Sequence, residues 1–286
     1  MSVALVTDST ASLSLERAVE HGITVVSLQV VIGATSYDED GSVDSVTPQM
    51  LADALKAWTP VSTSRPNPEA ILETYEKLVA DGAESIVSVH ISAELSGTFE
   101  SAQLAARRSP VPVTLVDSRQ VGMGTGFAVL AAAEAIAAGA DAEAAGAAAR
   151  TRAASTTSLF YVDTLEYLRR GGRMGAAAAL LGSALAVKPI LRVEDGRIGP
   201  FEKVRTSTKA LTRLEELAVE AAGDADVDVA VAHLASPDRG EELAERLAKR
   251  LATGLGDREV SLGEIGAVLG AHVGPGMVAV AVSRRT

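Results

Sequence analysis

Short apolar runs alternate with amphipathic segments of helical period through the first half of the chain. Each run has the length of a buried strand, and the segments between them have the apolar spacing of helices. Thr47 and Asn67 support two helix starts, since each precedes a proline suited to the first helical position. The predicted strands cover residues 3–7, 24–32 (as one or two strands), 86–91 and 113–116, and the predicted helices cover residues 13–21, 47–57, 69–80, 97–108, 126–138 and 141–154.

The pattern changes after residues 141–154, whose alanine-rich sequence predicts a surface helix. Two apolar runs flanking Glu194-Asp195-Gly196-Arg197 predict a β-hairpin, so the second half should contain a mixed sheet. The remaining strands are predicted at residues 159–162, 228–233, 260–265 and 277–282, and the remaining helices at residues 165–170, 175–185, 208–222 and 239–251.

These elements predict an α/β fold of two domains. Residues 1–158 would form an N-terminal α/β domain with a mostly parallel sheet and flanking helices. Residues 159–286 would form a C-terminal α/β domain with a mixed sheet and helices. In parallel sheets, ligands bind beyond the carboxyl ends of the strands. Asp8-Ser9-Thr10, residues 92–98 and Asp117-Ser118 all follow predicted strands there.

Two segments have the composition of anion-binding loops. Residues 62–68 read Ser-Thr-Ser-Arg-Pro-Asn-Pro, and residues 92–98 read Ser-Ala-Glu-Leu-Ser-Gly-Thr and lead into a helix. Hydroxyl groups and glycine beside a helix N-terminus suit a carboxylate or phosphate. Ordinary helix capping is the alternative interpretation of Thr63, Ser64 and Ser96, but the occurrence of the pattern in two segments favours a binding site.

Composition excludes several classes of function. The net charge of −11 and the 3% aromatic content disfavour a nucleic-acid-binding protein. Zero cysteines exclude disulfides and thiolate chemistry. The N-terminus has no signal-peptide pattern, and no apolar run reaches the ~20 residues that span a bilayer. We therefore expect a cytoplasmic protein, with peripheral membrane contact left open.

The remaining chemical signals are weaker. Gly122, Gly124 and Gly126 imitate a dinucleotide fingerprint, but the third glycine is misplaced, so a tightly packed helix start is favoured and no cofactor is expected. The histidines lack metal-ligand spacing, and His90 and His233 lie in strand patterns typical of core residues. His272 differs because it lies in the glycine-rich segment 266–276, predicted to be a loop that approaches a ligand.

Two basic clusters stand out in this acidic chain. They are Arg169, Arg170 and Arg173, and Lys203, Arg205 and Lys209. Each is either a solvated surface or a surface that neutralises phosphate or docks a partner.

Taken together, the motifs resemble the DegV family. They occur in family order along nearly the whole chain and are Val6-Thr7-Asp8-Ser9-Thr10, Thr63-Ser64-Arg65-Pro66, Leu95-Ser96-Gly97-Thr98, Val116-Asp117-Ser118, Leu168-Arg169-Arg170-Gly171-Gly172-Arg173, Lys188-Pro189-Ile190, Lys203-Val204-Arg205-Thr206 and Gly270-Ala271-His272-Val273-Gly274. Each motif is weak alone, but the ordered set is specific.

The resemblance implies a non-enzymatic protein that buries one long-chain fatty acid, such as palmitate, stearate or oleate, between its two domains. It also implies a partner, a separate ATP-dependent fatty acid kinase that makes acyl phosphate for phospholipid synthesis. The implied carboxylate ligands are Thr63, Ser96 and His272, accompanied by Ser64, Gly97 and Thr98 from the same motifs. The implied phosphate-neutralising residues are Arg205 and Arg173.

Two departures from the family pattern lie beside this site. Arg65 replaces the usual glutamine, and Ala93-Glu94 replaces a pair of small residues, so we expect Glu94 to face solvent or to pair with Arg65. Two alternatives remain: a lipid hydrolase acting through Ser96 and His272, although neither lies in a nucleophile elbow, and a regulatory module for another anionic lipid.

Overall fold

The parallel sheet, the mixed sheet and a small third sheet account for the strands of this computed structural model, which describes residues 2–42, 45–180 and 188–285, with the backbone alone at 178–180. The strands are β1 (Val3–Asp8), β2 (Ile23–Val26), β3 (Gln29–Ile32), β4 (Thr35–Asp38), β5 (Val61–Ser64), β6 (Ser85–His90), β7 (Val113–Asp117), β8 (Thr156–Tyr161), β9 (Lys188–Glu194), β10 (Arg197–Val204), β11 (Val227–His233), β12 (Ser261–Glu264) and β13 (Val278–Arg284).

The helices connect and cover these strands. They are α1 (Leu15–Glu20), α2 (Pro48–Lys56), α3 (Pro68–Ala80), α4 (Thr98–Ala106), α5 (Met123–Ala137), α6 (Ala142–Ala154), α7 (Glu166–Arg170), α8 (Ser207–Ala222), α9 (Pro237–Arg250), α10 (Ala252–Leu255) and α11 (Ala267–Val273). Short 3-10 turns occupy Ser9–Ala11 and Gly175–Leu180. Thr47 and Asn67 cap α2 and α3 as the sequence predicts.

The parallel sheet has the strand order β2-β1-β6-β7 and is covered on both faces. On one face Val87 and Val89 pack against the alanines of α5 and α6. On the other, Val6 and Ile86 pack against α3 and α4. The carboxyl ends of β1, β6 and β7 therefore meet at one edge, as expected for the three motifs that follow them.

Helix α6 is more buried than a surface helix would be. Ala145, Ala149 and Ala153 are buried, and a Cβ at Gly146 would lie 2.6 Å from Cγ2 of Thr114. Small residues therefore form the packed face of α6, and their spacing was hidden because alanine occupies both faces of the helix.

The mixed sheet has the order β10-β9-β8-β13-β11-β12, and only its β11–β12 pair is parallel. The predicted hairpin is present as β9 and β10, and its turn residues Asp195 and Gly196 both have positive φ. Helices α8 and α9 cover one face of this sheet through Leu214, Leu243 and their neighbours. The predicted α/β class, with one parallel and one mixed sheet, is confirmed.

Strands through β7 belong to the parallel or the small sheet, and strands from β8 onward belong to the mixed sheet. The division into domains at residue 158 stays a prediction. The predicted helix at 175–185 begins instead as the 3-10 turn Gly175–Leu180, and its part at 181–187 lies outside the described residues.

The small antiparallel sheet has the order β4-β3-β5. The sequence predicted β3 as part of residues 24–32, but it did not predict β4 or β5. Thr63 and Ser64, expected in a loop, therefore lie in strand β5. The strand was missed because its sequence Val-Ser-Thr-Ser offers little apolar surface.

The predicted loop at 266–276 is also wrong in its central part, which forms helix α11. Gly266 precedes the helix and Gly274, at φ 75°, ends it. Gly270 lies inside α11 at a close contact with α2, where a Cβ would be 2.6 Å from Cδ2 of Leu51. Its glycines thus permit close packing, and they do not mark an irregular segment.

Candidate functional site

A mostly apolar cavity of about 230 Å³ lies where the three sheets and α11 meet. Residues after β1 and β6 contribute to it, as do β5, β8, β11 and β13 together with Leu168 and Arg173. Its apolar wall includes Leu28, Ile91, Met123, Phe160, Val268 and Leu269. The space therefore suits an apolar ligand.

The carboxyl ends of β1 and β6 are joined by a fully buried polar chain. The hydroxyl of Tyr75 donates to Ser88 Oγ at 2.8 Å, Ser88 Oγ lies 2.8 Å from Nε2 of His90, and Nδ1 of His90 lies 2.8 Å from Asp8. Burial raises the pKa of Tyr75 to about 12. None of the four lines the cavity, so the chain holds the strand ends together and His90 is the satisfied core residue that was predicted. His233 is likewise buried in β11, although its Nδ1 lacks a hydrogen-bond partner among the described residues.

A polar cluster on the cavity wall centres on His272, in the last turn of α11. Its Nε2 lies 3.0 Å from the hydroxyl of Thr63 on β5, and its buried Nδ1 has no hydrogen-bond partner among the described residues. Burial, and secondarily the charge of Arg173, lower the pKa of His272 to about 4. The imidazole is therefore neutral at pH 7 and can donate only one hydrogen bond.

Arg173 supplies the positive charge of this cluster. Its Nε donates to the carbonyl of Leu95 at 3.1 Å and its Nη1 to the carbonyl of Gly171 at 2.6 Å, so the side chain is fixed. Gly171 also makes room for His272, because a Cβ there would lie 2.1 Å from Nδ1 of the ring. The Leu-Arg-Arg-Gly-Gly-Arg segment thus supplies both a cation and the space that the histidine needs.

Ser96 approaches the cavity from the segment before α4. Its Oγ lies 2.8 Å from the hydroxyl of Thr98 and accepts from the Thr98 amide at 3.3 Å. The hydroxyl of Ser96 therefore closes a local turn just before α4, whose N-cap residue is Gly97 without a side-chain cap, and Ser96 also lines the cavity. The hydrolase alternative needs Ser96 beside His272, yet each is hydrogen-bonded to a different threonine.

Six of the eight residues predicted for the site line the cavity. They are Thr63, Ser64, Ser96, Gly97, His272 and Arg173. Thr98 is fully buried beneath Ser96 and does not line it. Arg205 is exposed just after β10, away from the lining residues, and makes no hydrogen bond or ion pair with any described residue.

Arg65 and Glu94 do not pair with each other. Arg65 lies across Gly97, where a Cβ would be 2.7 Å from its Cδ, and its Nη1 is 2.5 Å from Glu100. Glu94 instead pairs at 2.8 Å with Arg197, at the start of β10. Its carboxylate is held at the surface, which fits the expectation that it does not point toward the site.

A shallow surface depression adjoins this cluster. Ser96, Gly97 and Arg173 line both the depression and the cavity, and Glu94 and Arg197 also line the depression. The polar cluster can therefore be approached from outside the protein.

The glycines at 122–126 lie at the start of α5 and permit close packing there. A Cβ at Gly126, for example, would lie 2.6 Å from the carbonyl oxygen of Ala11. Among the described residues, no cluster of three or more acidic or histidine side chains could hold a metal ion. In the same part of the chain, no helix combines the length and hydropathy needed to cross a membrane.

A family model described as "Uncharacterised protein, DegV family" matches residues 2–285. The chain belongs to the DegV family. The DegV domain-containing protein SCO2569 of Streptomyces coelicolor is 55% identical to it over 283 residues, covering 99% of each protein. The family resemblance inferred from the ordered motifs is therefore confirmed.

Solved DegV structures share the whole fold. One is described as fatty acid binding of a DegV family protein from Thermus thermophilus, with a TM-score of 0.91 and 32% identity over 100% of both chains. Another is DegV from Bacillus subtilis, described as a fatty acid binding protein, with a TM-score of 0.89 and 31% identity over 100% of both chains.

Sequence reasoning missed most of the cavity lining of this DegV protein. Phe160, Ala230 and Ala279 come from separate strands of the mixed sheet, and Leu269 comes from α11. Their apolar side chains look like ordinary core residues, and only the tertiary arrangement leaves space between them. No local signal in the sequence could have found them.

Proposed function

We propose that this DegV protein binds one long-chain fatty acid in the apolar cavity, with the carboxylate at the polar cluster of Thr63, Ser96, His272 and Arg173. An apolar cavity with a fixed arginine on its wall is the observation that carries this proposal. The fatty-acid-binding descriptions of the Thermus thermophilus and Bacillus subtilis relatives support it.

The energetics assign different roles to tail and head group. Burying about 14 methylenes at ~0.8 kcal/mol each would contribute on the order of 11 kcal/mol before ordering costs. Each hydrogen bond to the carboxylate would add about 1.5–3 kcal/mol. The tail should dominate affinity, while the head group sets orientation. Because His272 is neutral at pH 7, Arg173 would supply the charge that attracts the carboxylate.

The direct test is extraction of the purified protein followed by mass spectrometry. We expect about one fatty acid per chain, and delipidated protein should take up palmitate at the same ratio. A folded protein that neither carries nor takes up fatty acid would refute the proposal. Turnover of an acyl ester, lost in Ser96→Ala, would instead support the hydrolase.

We further propose that the bound carboxylate is presented to a separate ATP-dependent kinase for acyl-phosphate formation in phospholipid synthesis. The adjoining depression would give such a partner access to Ser96 and Arg173. Arg205, exposed and unpaired among the described residues, is a cation available to a phosphoryl group or to the partner.

Arg205→Ala should separate binding from transfer. Fatty-acid affinity should stay near the wild-type value, while the rate of acyl-phosphate formation with added kinase should fall. Without added kinase, neither the wild type nor Arg205→Ala should consume ATP. Equal losses of affinity and rate would make Arg205 a carboxylate-binding or structural residue, and an unchanged rate would remove it from the mechanism.

A further inference from the structure

We infer that Glu39 is a positioning residue that holds α11, and with it His272, against the head-group cluster. The inference rests on the proposed fatty-acid site and adds to it a residue that does not line the cavity. Glu39 follows β4 and is separated from α11 by more than two hundred residues of sequence.

Helix α11 has no side-chain cap of its own. Its N-cap residue is Gly266, and the missing acceptor comes from Glu39, whose Oε1 accepts from the Val268 amide at 2.9 Å. A Cβ at Gly266 would lie 2.2 Å from that Oε1. Glycine at this position therefore admits the carboxylate, and a negative charge suits the positive end of the helix.

The small sheet holds both ends of α11. Strands β4 and β5 pair with β3 from opposite sides. Glu39, just beyond β4, binds the first turn of α11, while Thr63 of β5 lies 3.0 Å from Nε2 of His272 in the last turn. The position of His272 therefore depends on two contacts from one sheet.

The placement of α11 matters for the cavity as well as for His272. Val268, Leu269, His272 and Val273 all line the cavity, so one helix carries apolar wall and polar head-group residue together. A shift at the first turn would move the imidazole relative to Thr63 and Arg173. The apolar contacts are less directional and would tolerate such a shift better.

The carboxylate of Glu39 is largely buried, which disfavours its charged form. Burial raises its pKa, the nearby Ser9 hydroxyl and the Val268 amide oppose that rise, and the negative charge of Asp8 acts in the same direction as burial. The other carboxylate oxygen, Oε2, is buried without a hydrogen-bond partner among the described residues. A neutral acceptor of the same shape would avoid the cost of burying charge. Glu39→Gln should therefore preserve the contact to Val268, whereas Glu39→Ala removes it.

The experiment compares two ligands that share a tail. Delipidated wild type, Glu39→Ala, Glu39→Gln and the exposed control Glu73→Ala are titrated with palmitate and with hexadecanol, which lacks the carboxylate. We expect Glu39→Ala to weaken palmitate binding about tenfold and hexadecanol binding much less, with Glu39→Gln and Glu73→Ala near wild type. Hydrogen exchange at the amides of α11 should accelerate in Glu39→Ala alone.

Gly266→Ala provides a second way to displace the carboxylate if Glu39→Ala does not fold, and it should reproduce the selective loss. A wild-type ratio of the two affinities in folded Glu39→Ala or Gly266→Ala, with unchanged exchange in α11, overturns the inference. Wild type that binds neither ligand would overturn the proposed function instead, while the exchange data would still decide the role of Glu39.

Discussion

Thr63 and Ser96 come from two segments that are both rich in hydroxyl residues, but the structure holds their hydroxyl groups in different ways. The hydroxyl of Ser96 is bonded within its own segment, to Thr98 two residues later. The hydroxyl of Thr63 is bonded to His272, 209 residues away. One side of the cluster is fixed by local helix-start geometry, and the other is fixed by tertiary packing of β5 against α11.

The two sides of the cluster therefore depend on different parts of the structure. The Ser96 side needs only the local turn between Ser96 and Thr98, which a short motif can ensure. The Thr63 side needs the small sheet, α11 and Gly171, which makes room for His272, to be in place together. A distant substitution should therefore damage the Thr63 side far more readily.

Gly171→Ala should have the largest effect on head-group binding. The new Cβ would lie 2.1 Å from Nδ1 of His272, so the ring must move and its contact with Thr63 should be lost. Losing two polar contacts to the carboxylate at about 1.5 kcal/mol each would weaken palmitate binding roughly 150-fold. Overpacking should also lower the free energy of unfolding by about 1–3 kcal/mol.

Gly172→Ala is the matched control for this clash. Gly172 has a φ of 70°, but nothing lies within 4 Å of its added Cβ. It should cost about 1–2 kcal/mol of backbone strain and leave palmitate affinity nearly unchanged. Calorimetric titration of both variants decides the matter, and equal affinities would show that Gly171 does not position His272.

The same contrast explains how much of the fold was readable from sequence. Elements built on strong apolar periodicity or on start signals, such as β6 and α3, were predicted within a few residues. Strand β5 and helix α11 were missed because their identity depends on partners far away in the chain. Gly270, for example, reads as a helix breaker until the side chain of Leu51 is seen against it.

The site could be predicted from the sequence where polar residues stand in short, distinctive motifs. Thr63, Ser96 and His272 could be named, and the structure brings them to one cavity. Glu39 could not, because an isolated glutamate after a short polar strand is ordinarily a surface residue. Its contact with Val268 exists only after the small sheet and α11 have packed together.

Thr63→Val and Ser96→Ala sharpen the comparison directly. Each should weaken palmitate binding by about 1.5–3 kcal/mol, or roughly 10- to 150-fold, because a hydrogen bond to a carboxylate is lost. Their effects on stability should differ in origin. Ser96→Ala removes local hydrogen bonds to Thr98 worth about 0.5–1.5 kcal/mol each, whereas Thr63→Val leaves His272 without its partner.

Hydrogen exchange distinguishes the two variants. Thr63→Val should accelerate exchange at the end of α11, and Ser96→Ala should do so at the first turn of α4. Palmitate affinities equal to wild type in both would mean that these hydroxyls serve folding alone. Faster exchange in α11 from Ser96→Ala would contradict the separation of the two sides.

Acidification should produce the smallest effect, and through His272 it acts on the Thr63 side of the cluster. The pKa of His272 is lowered from 6.5 to about 4 by burial and by Arg173. The unfolded chain therefore binds a proton below about pH 6.5 that the folded ligand-free protein refuses until about pH 4, so stability falls as pH falls through this window.

The expected loss from this group is about 1 kcal/mol between pH 7 and pH 5.5. Denaturant unfolding of wild type and His272→Gln at both pH values isolates it, because the other titrating groups are common to the two proteins. The difference in stability between them should shift by that amount as the pH falls. A bound carboxylate should reduce the shift, because an anion beside the imidazole raises its pKa. A stability difference between the two proteins that does not change with pH would mean that the folded protein accommodates the protonated imidazole. His272 would then not bind the carboxylate as a neutral side chain.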